Sequence, residues 1–340
     1  MNILNDAANI LNEIDEKDSI FDYKKKLLNN RPSNSNSIIS NTPKRDNKRI
    51  LIDKMIGQGS FGKIYIGYYE NSDAPIAIKY EKINYKYKNR EIDILKVLMK
   101  NPCDYVINII DYSIENENIN RLSTIIMDYY PIDLKTFIMK ACYKKKMIYL
   151  KSYTMQLLKG LEHIHNLSII HRDIKPDNIL INKNKVVLAD FGSAKFFNNT
   201  QSSVYISTRY YRAPECILEN EFYDMSIDIW AMGCVFAEIL LNRPIFIGKN
   251  NADQLCKIFK VLGFPSKEIL KTINPDLDLE NPDIIEETPS KLEEVFKNVA
   301  MPMHFFSIIR SMIKLNRNRK KPETILKKKY FKDILIKNIL

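Results

Sequence analysis

Residues 171 to 178 read His-Arg-Asp-Ile-Lys-Pro-Asp-Asn, and twelve residues after Asn178 comes Asp190-Phe191-Gly192. No other stretch constrains this chain so tightly. Moving a phosphoryl group between oxygens leaves little covalent work for a protein. It asks for a carboxylate beside the acceptor hydroxyl, oxygen ligands for a magnesium ion, and positive charge near the migrating phosphate. Asp173, Asn178, Asp190 and Lys175 supply those groups within one short loop–strand–loop stretch.

Upstream, Gly57, Gln58, Gly59, Ser60, Phe61 and Gly62 stand between two runs apolar enough for strands, residues 50–56 and 63–68. Glycines in such a hairpin let backbone N–H groups approach phosphate oxygens. A dinucleotide-binding turn shares the spacing, but it opens a helix rather than joining strands. The whole chain has nine glycines, and four of them are Gly57, Gly59, Gly62 and Gly192, so this scarce residue sits where phosphate chemistry needs it. The strand-like Ile76-Ala77-Ile78 then leads into Lys79. In the following run Ile92, Leu95 and Leu98 or Met99 share one helical face, with Glu91 at its edge. A lysine ending a strand holds nucleotide phosphates, and a helix glutamate holds the lysine.

The order of glycine loop, lysine, glutamate, catalytic loop and magnesium loop resembles the eukaryotic protein kinases over about residues 48–335. The resemblance implies an α+β, bilobal fold with a β-rich N-lobe (about 48–127), a hinge (128–131) and an α-helical C-lobe (about 132–335). Residues 1–47 form an N-terminal extension, partly disordered, and 336–340 a short tail. The cofactors implied are ATP and Mg2+. By the resemblance, the glycine loop covers the phosphates, Lys79 contacts the α- and β-phosphates, and Glu91 orients Lys79. Asp190 and Asn178 hold Mg2+, Asp173 accepts the proton of the substrate hydroxyl, and Lys175 offsets charge on the transferring group. Ile56, Ile64, Ala77, Met127 and Tyr130 line the adenine pocket, with Asp128 in the hinge and Leu180 as floor. Glu215 and Arg319 form a structural ion pair.

Lys175 after the catalytic Asp is similar to serine/threonine kinases. Residues 207–215, 226–230 and 243–246 look like the CMGC group. Lys88-Asn-Arg-Glu91, Asp128-Tyr-Tyr-Pro131, the segment 148–157 and above all Gly192-Ser-Ala-Lys195 resemble the glycogen synthase kinase 3 (shaggy) family. Members of that family prefer protein substrates already phosphorylated four residues after the target. The positions matching their priming-phosphate receptor are Arg90, Arg172 and Lys195, two guanidiniums and an ammonium suited to a near-dianion. Tyr205 matches the activation-loop tyrosine. Two features depart from the family: Asp177 stands where Gln is common, and Ala189 where Cys is common. Ser203-Val-Tyr205 is also similar to a MAP-kinase signature, so a MAP-kinase-like member of the group is the alternative. A catalytically inactive kinase-fold scaffold is the alternative of another class.

The formal charge is +11, from 52 Lys+Arg against 41 Asp+Glu, and basic residues cluster at 144–146, 317–321 and 327–329. These read as solvated faces. No zinc-finger or aromatic platform accompanies them, so specific nucleic-acid binding is not expected. No uncharged apolar run reaches membrane-spanning length. The closest, Ile227 to Leu241, carries Asp228 and Glu238 and reads as a buried helix. Five scattered cysteines without a C-x-x-C pair imply reduced thiols. The expected partners are protein substrates and scaffold proteins on the C-lobe, and the expected location is the cytoplasm or the nucleus.

Overall fold

The computed structural model describes residues 49–59, 62–84, 90–117, 120–198, 208–277 and 287–332, with only the backbone of Ile83, Asn84, Arg90, Asn116, Glu117, Asn120 and Arg121. Ser60, Phe61, Tyr205 and the N-terminal extension lie outside the described residues.

The small lobe is one antiparallel sheet built from β1 (Ile50–Gly59), β2 (Gly62–Tyr69), β3 (Pro75–Asn84), β4 (Ile109–Glu117) and β5 (Asn120–Asp128). Its spatial order is β1-β2-β3-β5-β4. The helix α1 (Arg90–Lys100) packs against it. Alternation along β3 decides which residue faces which side. Ile76 and Ile78 join Ile50 and Ile126 in a small cluster of their own. Ala77 and Lys79 point the other way, opposite Met127 and Ile125 of β5.

Helix α1 sits on that second side because Ile92, Leu95 and Leu98 form its apolar stripe. Ile94 is buried as well, so the helix is covered more widely than one stripe. Glu91 and Asp93 in its first turn complement the helix dipole.

The large lobe is mostly helical. It contains α2 (Leu134–Lys140) and α3 (Tyr143–Asn166). Two small sheets follow, β6 (Ile132–Asp133) with β8 (Ile179–Asn182) and β9 (Lys185–Leu188), and β7 (Ile169–Ile170) with β10 (Lys195–Phe196). The helix α4 (Pro214–Ile217) precedes α5 (Ser226–Leu241), whose residues are buried from Ser226 to Leu240. The buried helix expected at Ile227 to Leu241 is therefore present. Main-chain bonds tie the lobes together: Ile107 N–H donates to Leu188 O (2.8 Å) and Leu188 N–H to Tyr105 O (3.0 Å).

The basic run at 144–146 is not a solvated face. Helix α3 begins at Tyr143 and turns Lys145 and Lys146 inward, at 1% and 3% exposure. The Lys146 ammonium donates to Asn242 Oδ1. Its buried setting holds the Lys146 pKa below the ordinary lysine value.

Candidate active site

The cleft between the lobes collects most of the sequence-predicted groups. The Lys79 ammonium lies 2.7 Å from Glu91 Oε1 and 3.3 Å from Asp190 Oδ1. Burial alone would lower the Lys79 pKa, but the two carboxylates outweigh it and raise the value. Burial likewise opposes ionisation of Asp190. Lys79 leads the charges that overcome it, and the carboxyl is held below its usual range. Asp190 adopts the left-handed region, with φ of 61°. An Asp tolerates that region better than most residues, though at some strain.

Asp173 is fixed from three sides. Its Oδ2 accepts from Lys175 Nζ (2.7 Å) and Asn178 Nδ2 (2.9 Å), and its Oδ1 from the Thr208 N–H (3.2 Å). The Asn178 amide also donates to Asp173 O (2.8 Å). Both of its protons are thereby used, which leaves the Asn178 amide oxygen as the acceptor. An amide oxygen and the Asp190 carboxylate make a hard, oxygen-only donor set that suits Mg2+.

The loop carrying Asp173 is anchored by an acid whose sequence context marks it only as a charge in an apolar run. Asp228 on α5 accepts from the His171 N–H (2.8 Å), the Arg172 N–H (2.9 Å) and His165 Nε2 (3.1 Å). Arg172 can present its N–H this way because it takes the left-handed region, with φ of 67°. His171 bridges to the magnesium loop. One neutral tautomer satisfies both its bonds: Nε2–H donates to Ala189 O (3.0 Å) while Nδ1 accepts from the Asp173 N–H (3.3 Å).

Of the residues named from the sequence, Gly62, Ile64, Lys79, Met127, Asn178, Leu180 and Asp190 line the apolar part of the cleft. Its depth comes from Leu95 of the α1 stripe, Phe191 beside Asp190, and Ile107, Ile109 and Ile125, the last three of which carry no motif. Of those three, the strand alternation that places Ile125 opposite Lys79 signals one. Three residues expected at the adenine pocket do not line this cavity. Ile56 sits on β1 at 41% exposure, Ala77 is buried in the sheet opposite Met127, and Tyr130 faces an adjoining pocket with Asp128. Burial, with the Asp128 charge beside it, pushes the Tyr130 hydroxyl up to about 12.

In the glycine hairpin, Gly57 pairs with Ile64, Gln58 with Lys63 and Gly59 with Gly62. Gly62 serves the sheet as well as any phosphate. A Cβ there would meet Tyr80 O at 2.1 Å, and its φ is 143°.

Of the three cations assigned to a priming phosphate, two converge on Tyr223. Arg172 Nη1 donates to the Tyr223 hydroxyl (2.9 Å), its Nε donates to Ser193 O (2.5 Å), and Lys195 Nζ stands 5.7 Å from the Tyr223 ring centre. The backbone of Arg90 opens α1, while Tyr205 lies outside the described residues.

The protein kinase domain model matches residues 51–331. The chain belongs to the protein kinase family. It is 38% identical over 234 residues to "Protein kinase gsk3" of Schizosaccharomyces pombe, an alignment covering 66% of this chain and 59% of that protein. It is also 38% identical over 226 residues to "Probable serine/threonine-protein kinase glkA" of Dictyostelium discoideum, covering 66% of this chain and 46% of that protein. The chain thus spans about half to three fifths of the length of these relatives. The kinship with glycogen synthase kinase 3 read from the motifs agrees with the first of these two likenesses. Among the described residues no helix is long and apolar enough to cross a membrane.

Proposed function

We propose that this chain is an ATP- and Mg2+-dependent protein serine/threonine kinase that favours substrates already phosphorylated four residues C-terminal to the acceptor. One observation carries the catalytic part: Lys79, Glu91 and Asp190 meet in one ion cluster that lines the same cleft as Asn178 of the Asp173–Lys175–Asn178 triangle. Bound Mg2+ would neutralise phosphate charge, held by Asp190 and the Asn178 amide oxygen.

The chain's own groups do the remaining work. Lys79, kept charged by its two carboxylate neighbours, binds phosphate oxygens. Asp173, held by Lys175, Asn178 and the Thr208 N–H, aligns a serine or threonine hydroxyl and takes its proton as the new bond forms. Lys175 sits where it offsets charge on the transferring group. Leu180, Met127 and Ile64 exclude water from the cleft.

The preference for primed substrates is supported by the placing of Arg172 and Lys195 beside Tyr223, next to the magnesium loop. A peptide library with and without phosphoserine four residues after the acceptor tests both parts. Faster phosphorylation of the primed set supports the whole reading. Equal rates remove the primed preference, and no transfer from MgATP to either set removes the kinase reading.

A further inference from the structure

Strand β3 carries a carboxylate that the chemistry above does not use. Glu81 follows Lys79 by two residues, so both side chains leave the same face of the strand. That is the face on which Lys79 meets Glu91 of α1. The Glu81 and Glu91 carboxyls are within hydrogen-bonding reach of one another. Yet each has a buried oxygen, Oε2, with no hydrogen-bond partner. Opposite Glu81 on β5 stands Ser123, fully buried, whose hydroxyl also lacks a partner.

Two ionised carboxylates in contact repel, and neither has a proton to donate. Burial makes such unsatisfied oxygens costly. A single proton between them removes the repulsion, satisfies an acceptor and leaves Lys79 to its partners at 2.7 and 3.3 Å. We propose that Glu81 is a positioning residue: it carries a proton in the active arrangement, donates it in a hydrogen bond to Glu91, and so fixes the carboxylate that orients Lys79. The consequence for catalysis rests on the kinase reading, whereas the protonation of Glu81 does not.

Among the described residues, the charged groups that face Glu81 are Lys79 on its own strand, Glu91 on α1 and Asp190 of the magnesium loop. The neighbouring strands offer Ser123 on β5 and, beyond it, Ile114 on β4, neither of which titrates. Burial first, then the Glu91 charge, push the Glu81 carboxyl up to about 7 against the opposing pull of Lys79. When pH rises through that value, Glu81 gives its proton to water. It then becomes an anion beside Glu91 and a rival for Lys79.

The first measurement uses the full chain without nucleotide. The carbon-13 carboxyl resonance of Glu81, assigned through its backbone connectivity, is followed against pH. We expect a midpoint near about 7. A midpoint at the ordinary carboxylate value overturns the proposal, whatever the activity of the protein.

The second measurement is MgATP affinity of wild type and Glu81→Gln between about pH 6 and about pH 8.5. Glutamine keeps a donor and cannot ionise. Wild-type affinity should fall by about tenfold across the range, the effect of losing one hydrogen bond to a charged group, while the variant's profile stays flat. The nucleotide's own titration is common to both proteins and cancels in the comparison. Parallel profiles overturn the proposal. Failure of wild type to bind MgATP or phosphorylate any peptide at any pH overturns the kinase reading instead, and the carboxyl titration then decides on Glu81 alone.

Discussion

Glu215 and Arg319, 104 residues apart in the chain, meet in a two-pronged ion pair of 2.6 and 2.9 Å with neither side chain exposed. The guanidinium also donates to Ser226 O (3.1 Å) and Lys314 O (3.1 Å), and lies 5.0 Å from the Trp230 ring centre. Nearly every proton of the fork is used, which is why lysine could not replace it.

Removing one partner strands the other as a buried charge. Arg319→Ala should cost about 3–5 kcal/mol of stability, read from denaturant unfolding. The double variant Arg319→Ala, Glu215→Ala should lose less than the sum of the two single losses. Strict additivity would mean that the pair is not coupled.

Asp228→Asn replaces one of two acceptor oxygens by a donor. Oδ1 serves the Arg172 N–H, while Oδ2 serves both the His171 N–H and His165. Whichever way the amide turns, one backbone N–H of the catalytic loop is left facing an NH2 group. The expected result is a drop in kcat of at least about tenfold, with the KM for ATP little changed, because the loop and not the nucleotide cleft is displaced. An unaltered kcat would separate the loop from its anchor.

Asp190→Asn withdraws a metal-ligand charge, and Lys79→Ala a phosphate contact. Each should lower turnover by at least about 100-fold. Near-normal turnover in purified Asp190→Asn protein would remove Asp190 from the magnesium site.

Lys195→Ala should raise KM for a primed peptide by about tenfold and leave an unprimed peptide unaffected, the signature of one charge-assisted contact to phosphate. Equal effects on both peptides would assign Lys195 a structural part beside Tyr223.

The Glu81 carboxyl also gives stability a direction with pH. Its folded value, about 7, lies above its unfolded value of 4.5. The native state therefore holds a proton that the unfolded state has lost, and the contribution of this group falls as pH rises through that window. Thermal unfolding should show Glu81→Gln gaining on wild type between about pH 5 and about pH 8. A constant difference would place the titration elsewhere.

What could be read from the chain beforehand was what lies close in sequence. Asp173, Lys175 and Asn178 occupy one loop, and the alternation around Lys79 fixes its face of the sheet, so their roles follow from spacing. The lines of contact that cross the chain left no local mark. Nothing near Asp228 says that it will receive two N–H groups from more than 50 residues upstream. Ile107 and Ile109 carry no motif, and their place in the cleft follows from how the two lobes meet. Lys145 and Lys146 read as solvent-facing because charge is the better local predictor, while burial is decided by where α3 begins. Glu81 gives no local signal, because a polar residue two positions after a lysine on a half-buried strand is unremarkable without Glu91 beside it.

Helix α5 holds two acids in an otherwise apolar surround. Asp228 takes the catalytic loop, and Glu238 takes the Tyr211 hydroxyl at 2.7 Å. One rod thereby sets the position of both the loop that carries Asp173 and the segment of Tyr211. Neither can soften independently while that rod stays buried. On warming, catalysis should vanish at the temperature where the large lobe itself melts, with no inactive but folded stage before it.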